Sequence, residues 1–209
     1  MEVKIKKLSP DAVIPTYAKA GDAGMDLVAT TTISSAVSTI SFGSLPSGYS
    51  QFLVYGSIRV NGVSGGNDSY YTVRLSTNSG SSYISTSNYY NEAQSWDQPD
   101  AAFGNGAWND SGFAFASSPS GNGGRGYIGG QYIFPQFSFI IFQPSTNVYP
   151  TYQFFNWAFT ANNTDGVQYI GYGLCNATTS YINGFQITRT TGNKNIDYGV
   201  INVYGVKNA

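Results

Sequence analysis

Hydrophobic and polar residues alternate with a period of two along much of this chain. The densest such stretch, residues 131 to 159 (QYIFPQFSFIIFQPSTNVYPTYQFFNWAF), lies near its middle. A period of two places successive side chains on opposite faces of a β-strand. Phe137, Phe139 and Ile141 fall on one face, Ile140 and Phe142 on the other, so both faces are apolar. The pattern predicts a strand buried on two sides, joined by a Pro-containing connection to a second strand over Tyr152 to Phe159. Upstream, Phe52, Val54, Ile58 and Val60 alternate against Leu53, Tyr55 and Arg59. That run predicts a strand ending at an Asn-Gly turn, with Tyr71, Val73 and Leu75 as its hairpin partner. Ile33, Ile40 and Phe42 sit in an extended Ser/Thr-rich run closed by Pro46 and Gly48, and residues 166–173, 179–188 and 198–206 read as three further strands.

Composition agrees with strands and turns. Only 10% of the 209 residues are charged, the formal net charge is −1, and Gly, Ser, Thr, Asn and Tyr stand where helix-rich enzymes carry Lys and Glu. The expected fold is all-β, an antiparallel β-sandwich with a jelly-roll-like character, in a chain long enough to bury a substantial core. The chain has no histidine, which removes Ser-His-Asp and Cys-His catalysis and imidazole metal sites together. Cys175 is the single cysteine, so an intrachain disulfide and a thiolate zinc site are excluded, and within YGLCNA it reads as a small core residue. No metal or cofactor is expected. Beyond Lys19 the basic residues are scattered singly, at Arg59, Arg74, Arg125, Arg189, Lys194 and Lys207, which argues against a nucleic-acid groove. No apolar run is long enough to span a membrane, and no signal-peptide apolar region follows MEVKIKK.

Two stretches carry candidate local chemistry. Residues 75–83, LSTNSGSSY, resemble the Asp-box hairpin with Asn78 in place of the aspartate, Gly80 able to take a positive φ and Tyr83 covering the turn. A short polar side chain there bonds backbone amides across the turn, so the box is a fold element. Residues 87–130 read as a long irregular loop rich in aromatics and carboxylates, and loops of that length are usually functional or mobile. Tyr89, Tyr90, Trp96, Asp97, Asp100, Trp108 and Asp110 are the candidates for contact with a glycan or partner, because sugar rings stack on aromatic faces while hydroxyls bond to carboxylates. Phe103 and Glu92 lie in the same region. Three readings stand beside one another: these aromatics anchor the loop to the sandwich or a neighbouring subunit, contact a glycan or receptor, or flank a glycoside bond with paired acids.

The first thirty residues differ from the rest in carrying dense charge, and they end in AGDAGMDL at residues 20–27. This segment resembles the amino-terminal part and first motif of trimeric dUTPases. The resemblance implies that Asp26 would help to hold, through water, the magnesium around a substrate triphosphate. LPSGYSQFLVYGS at residues 45–57 echoes the strand into that family's second motif and ends on Ser57, while Tyr55 and Gly56 stand in place of its Pro-Arg pair. NIDYGVINV at residues 195–203 echoes the third motif, which would give Asp197 the water-activating role and Tyr198 the packing beneath uracil. The family's active sites form between three chains, so the resemblance also implies a module used to trimers. Residues 1–30 are therefore expected to be a docking or trimerising segment, and residues 31–209 a β-sandwich domain.

Residues 45–209 resemble small β-sandwich proteins of phage virions, through INGFQI, a Gly turn and a last strand finishing NVYGV, together with the LSTNSGSSY box. The function this implies is non-enzymatic: a capsid decoration or head-fibre-like subunit on the virion, made in the host cytoplasm, forming a homotrimer and contacting capsid or tail proteins. The alternatives are a tail-associated receptor- or glycan-binding protein that recognises the host surface, and a diverged Mg-dependent dUTPase.

Overall fold

The computed structural model describes residues 25–61, 70–97, 103–115, 132–143, 147–160, 166–191 and 195–207. These residues contain strands and no helix: β1 (Met25–Ile33), β2 (Thr39–Phe42), β3 (Gln51–Asn61), β4 (Tyr70–Ser76), β5 (Tyr89–Asp97) and β6 (Phe103–Asp110) in the first half. The second half adds β7 (Phe113–Ala114), β8 (Tyr132–Phe142), β9 (Thr151–Thr160), β10 (Gly166–Cys175), β11 (Gly184–Thr191) and β12 (Asn195–Val206). They form an eight-stranded sheet in the order β1-β12-β3-β8-β9-β10-β5-β6 and a four-stranded sheet in the order β2-β11-β4-β7. Every strand pairing is antiparallel. The protein is an antiparallel β-sandwich, as the alternation predicts.

Each strand of a two-layer protein needs one apolar face turned to the opposite layer. Val54, Ile58 and Val60 of β3, Phe137, Phe139 and Ile141 of β8, and Phe154 of β9 supply that face on the larger sheet. Ile40 and Phe42 of β2, Val73 and Leu75 of β4, and Phe185 and Ile187 of β11 meet them from the smaller one. Aromatic rings knit the layers together. Phe42 stacks on Phe185 at 4.8 Å, Phe185 meets Phe139 edge-on at 5.6 Å, and Phe139 lies 5.3 Å from Tyr152. Tyr152 stacks at 4.7 Å on Phe113, which meets Tyr89 edge-on at the same distance.

The central hairpin pairs as expected, Phe142 with Thr151 through to Tyr132 with Thr160. Its register skips between Ile133 and Gln136, and the skip takes in Pro135, whose missing N–H would otherwise break a central ladder. One expectation about this strand is corrected. Phe137, Phe139 and Ile141 are buried, but Ile140 and Phe142 are only half-buried, because among the described residues no second layer covers the outer face of the larger sheet.

The expected hairpin between residues 52–60 and 71–75 does not form. β3 lies between β12 and β8 in one sheet, and β4 lies between β11 and β7 in the other. Both strands have one apolar face, and facing each other across the sandwich buries those faces better than pairing edge to edge. The Asp-box turn after β4 has the local geometry its residues predict, yet it also turns a corner between sheets and joins no hairpin. Asn78 Oδ1 accepts from the Ser82 amide at 2.9 Å, the Gly80 amide donates to Ser76 Oγ at 3.0 Å, and Gly80 takes φ 83°. Asn183 Oδ1 accepts from the Ser79 amide at 2.7 Å and ties the turn to the chain just before β11.

Residues 87–130 are not one irregular loop. They include β5, β6 and β7, and residues 98–102 and 116–130 lie outside the described residues. The strand over 179–188 begins later than expected, at Gly184. Residue 30 lies within β1, which pairs with β12 on both sides of a register shift between Leu27 and Ala29.

Burial shapes the alkaline stability. Desolvation pushes the Tyr71 hydroxyl up to about 12, against a smaller opposing pull from Arg189 and a backbone hydrogen bond at Ile196. Burial, and secondarily Cys175, raises Tyr89 in the same direction. Above pH 10 an unfolded tyrosine has lost its proton while these two retain theirs, so the unfolded state binds fewer protons and stability falls as pH rises. The loss between pH 10 and 12 is expected to be about 1.4 kcal/mol per pH unit for each group. Urea midpoints measured over that range are expected to fall less steeply for Tyr71→Phe than for the parent, and superimposable profiles would contradict the assignment.

Candidate functional site

The outer face of the larger sheet, which no other described layer covers, holds a cleft of about 1040 Å³ built across β3, β8, β9, β10 and β5. Register alone assembles it. One row crosses the strands as Ile140, Gln153, Tyr172 and Glu92, and the next as Gln51, Phe142, Thr151, Leu174 and Tyr90. Neighbouring strands are about 4.8 Å apart, so residues distant in the chain become adjacent side chains on one surface. Beneath these rows, Gly171 and Gly173 of β10 leave room for the Phe154 and Phe113 rings on the core side.

The Tyr172 hydroxyl donates to Glu92 Oε2, and Tyr172 is 58% exposed with its ring toward solvent. That hydrogen bond raises the pKa of the hydroxyl, with desolvation and the charge of Glu92 adding to it. Tyr90 is exposed at the cleft, and its hydroxyl accepts from Asn176 Nδ2 at 3.2 Å. Just past β8, Gln143 is buried. Its Nε2 donates to the Ser180 carbonyl at 2.6 Å and its Oε1 accepts from the Ile182 amide at 2.7 Å, pinning the β10–β11 connection against the sheet. The cleft combines aromatic and aliphatic surface with amide, hydroxyl and carboxylate groups. Among the described residues Glu92 is the one charged member of its lining, which gives the cleft the chemistry of a binding site and shows no second carboxylate to make a glycosidase pair.

The residues singled out from sequence fall in different places. Tyr90 lies on the cleft. Tyr89 is a core residue: its ring packs on Phe113, its hydroxyl donates to the Ile84 carbonyl at 3.0 Å and accepts from the Leu75 amide at 3.0 Å. It therefore cannot serve as a contact residue, because alternation along β5 turns it to the opposite face from Tyr90. Trp96 and Asp97 end β5, and Trp108 lies on β6 opposite Asn91, with their side chains outside the described residues, as is Asp100 altogether. Asp110 accepts from the Ser111 amide at 2.6 Å and caps the turn between β6 and β7.

The residues of the dUTPase resemblance sit on β1, β3 and β12. Asp26 Oδ2 accepts from the Tyr49 hydroxyl at 2.8 Å and lies 3.7 Å from Lys207 Nζ. Asp197 receives both Nε and Nη2 of Arg59, at 2.9 and 3.1 Å, and the same guanidinium lies 5.9 Å from the Tyr198 ring centroid. Ser57 pairs with Val200 beside a register shift in β3. Asp26 is opposite Gly205, eight positions along β12 from Asp197, which separates the two carboxylates by roughly 26 Å at strand rise. Within one chain they do not converge. Among the described residues no three His, Cys, Asp or Glu side chains gather as a metal site.

Sequence reasoning missed Gln51, Gln153, Tyr172 and Leu174 as cleft residues. The apolar second face of β8 was the available signal, but it read as burial. Comparison with protein-family models, with curated proteins and with solved structures finds no match for this chain.

Proposed function

We propose that the chain is a non-enzymatic structural protein of a phage virion surface, a capsid-decoration or head-fibre-like subunit that assembles as an oligomer and displays its sandwich outward. The carrying observation is the outer face of the eight-stranded sheet. Leu27, Tyr55, Phe155, Tyr172, Tyr198 and Val200 are exposed there, spread from β1 to β10. An apolar surface of that breadth marks a face made for contact with another molecule. The resemblance of residues 45–209 to small β-sandwich virion proteins supplies the setting, and that of residues 1–30 to trimeric dUTPases supplies the trimer. The partners are then further copies of the chain and capsid or tail subunits, and the location is the virion. The engagement of Asp26 with Tyr49 and Lys207, and of Asp197 with Arg59, favours a structural use of these carboxylates over nucleotide hydrolysis.

A second reading, a tail-associated receptor-binding protein, is favoured by the cleft at Tyr90, Glu92 and Tyr172. Light scattering and co-sedimentation with virions test the first. The full chain is expected to run as a trimer or larger assembly and to sediment with particles. Removing residues 1–24, which leaves β1 intact, is expected to abolish stable association. A monomer that ignores the truncation and does not sediment with particles would sink the proposal. Turnover of dUTP with Mg²⁺ that disappears in Asp26→Asn would replace it with an enzyme.

A further inference from the structure

We infer that the cleft on the outer face of the larger sheet is a binding site for a neutral oligosaccharide, with Tyr172 and Tyr90 as stacking surfaces and Glu92 and Gln153 as the groups that read hydroxyls. The inference deepens the receptor-binding reading and shares its assumption that this face stays open to solvent. Its ground is the pairing of two kinds of surface at strand spacing. Carbohydrates present C–H faces that pack on aromatic rings and hydroxyls that both donate and accept, so they need rings and planar polar groups side by side. In the cleft, Gln153, Tyr172 and Glu92 are successive members of one cross-strand row, and Phe142, Leu174 and Tyr90 belong to the neighbouring row. The Tyr172–Glu92 hydrogen bond holds the ring and the carboxylate in fixed relation. That leaves the second carboxylate oxygen and the Gln153 amide as hydrogen-bonding groups for a ligand.

Other occupants fit less well. Among the described residues the lining holds no Lys or Arg and its one charge is negative, so a phosphate, sulfate or sialic acid carboxylate would meet repulsion from Glu92. Strand addition by a peptide needs an unpaired sheet edge, whereas β3, β8, β9, β10 and β5 are all interior strands with both edges used. A purely apolar ligand would bury the amides of Gln51 and Gln153 without replacing their bonds to water. The volume of about 1040 Å³ matches a short oligosaccharide better than a single ring.

The test is calorimetric titration of the full chain with cellotriose, maltotriose, triacetylchitotriose, lactose and 3′-sialyllactose. At least one neutral sugar is expected to bind, and sialyllactose to bind more weakly than lactose. Tyr172→Ala is expected to weaken binding about tenfold, the loss of one aromatic stacking contact. Glu92→Gln is expected to weaken it several-fold by replacing one acceptor oxygen with a donor, and circular dichroism is expected to show both variants folded. The inference is overturned if no neutral sugar binds, if binding survives Tyr172→Ala and Glu92→Ala unchanged, or if sialyllactose binds more tightly than lactose. Virion co-sedimentation is read separately, so failure of sugar binding leaves the structural reading standing, and failure to sediment leaves the sugar site standing.

Discussion

Phe139→Ala is expected to be the most damaging single substitution in the core, costing about 3–5 kcal/mol. Phe139 is 1% exposed and sits at the centre of the sandwich. Its ring lies 6.2 Å from Phe137 and 5.3 Å from Tyr152 on its own sheet, 5.6 Å from Phe185 on the other, and 6.2 Å from Phe115 just past β7. Removing it costs the transfer free energy of the ring and leaves a cavity that four aromatic neighbours, held by both layers, cannot close. Aromatic pairs add about 0.5–1.5 kcal/mol each beyond their buried area, so the loss belongs in the upper part of the range. Urea denaturation is expected to show the full shift, and thermal melting a drop of roughly 6–20 °C for a chain of this size. A loss below about 1 kcal/mol would mean that Phe139 does not join the layers as described.

Gly171→Val acts by the opposite mechanism. A Cβ at Gly171 would overlap the Phe154 ring and lie 2.6 Å from the Glu92 carbonyl oxygen on the adjacent strand. The buried Phe154 ring already packs against Tyr152 at 5.5 Å, and the carbonyl belongs to the β10–β5 ladder, so strain spreads into the backbone. The expected cost is about 3 kcal/mol, at the top of the range for overpacking. The same substitution displaces the strand carrying Tyr172 and its partner carrying Glu92, so sugar binding should fall beyond what the loss of stability explains. Binding measured well below the unfolding midpoint separates the two effects. Unchanged stability would show that β10 does not pass this close to Phe154 and β5.

Much of the fold was legible because strand alternation is a local property. Phe137, Phe139 and Ile141, or Val54, Ile58 and Val60, announce a buried face whatever they pair with. The β5–β6 pair was not legible. YYNEAQSWD and FGNGAWND put Asn, Gly, Ala and Asp at strand positions, residues of low strand propensity that read as loop. They are held in place by β10, which pairs with the whole length of β5. Strand partnership was also beyond local reasoning, since β3 and β4 alternate equally well as hairpin partners or as opposite walls. Of the candidate site, Tyr90 was found through composition. Tyr172 and Gln153 were missed because nothing near either in sequence marks it out.

By itself the sequence determined that the protein is built of antiparallel strands around an aromatic core, that histidine and paired-thiol chemistry are absent, and that residues 131–159 form its central hairpin. These follow from side-chain alternation and composition, which do not depend on neighbours distant in the chain. Only the tertiary structure decided that the second apolar face of that hairpin is half-buried among the described residues, and that Glu92, Gln153 and Tyr172 share one cleft. The physical reason is that a sheet brings residues together by register. Ile140, Gln153, Tyr172 and Glu92 are scattered along the chain but consecutive across four strands. That adjacency exists only once the ladders have formed.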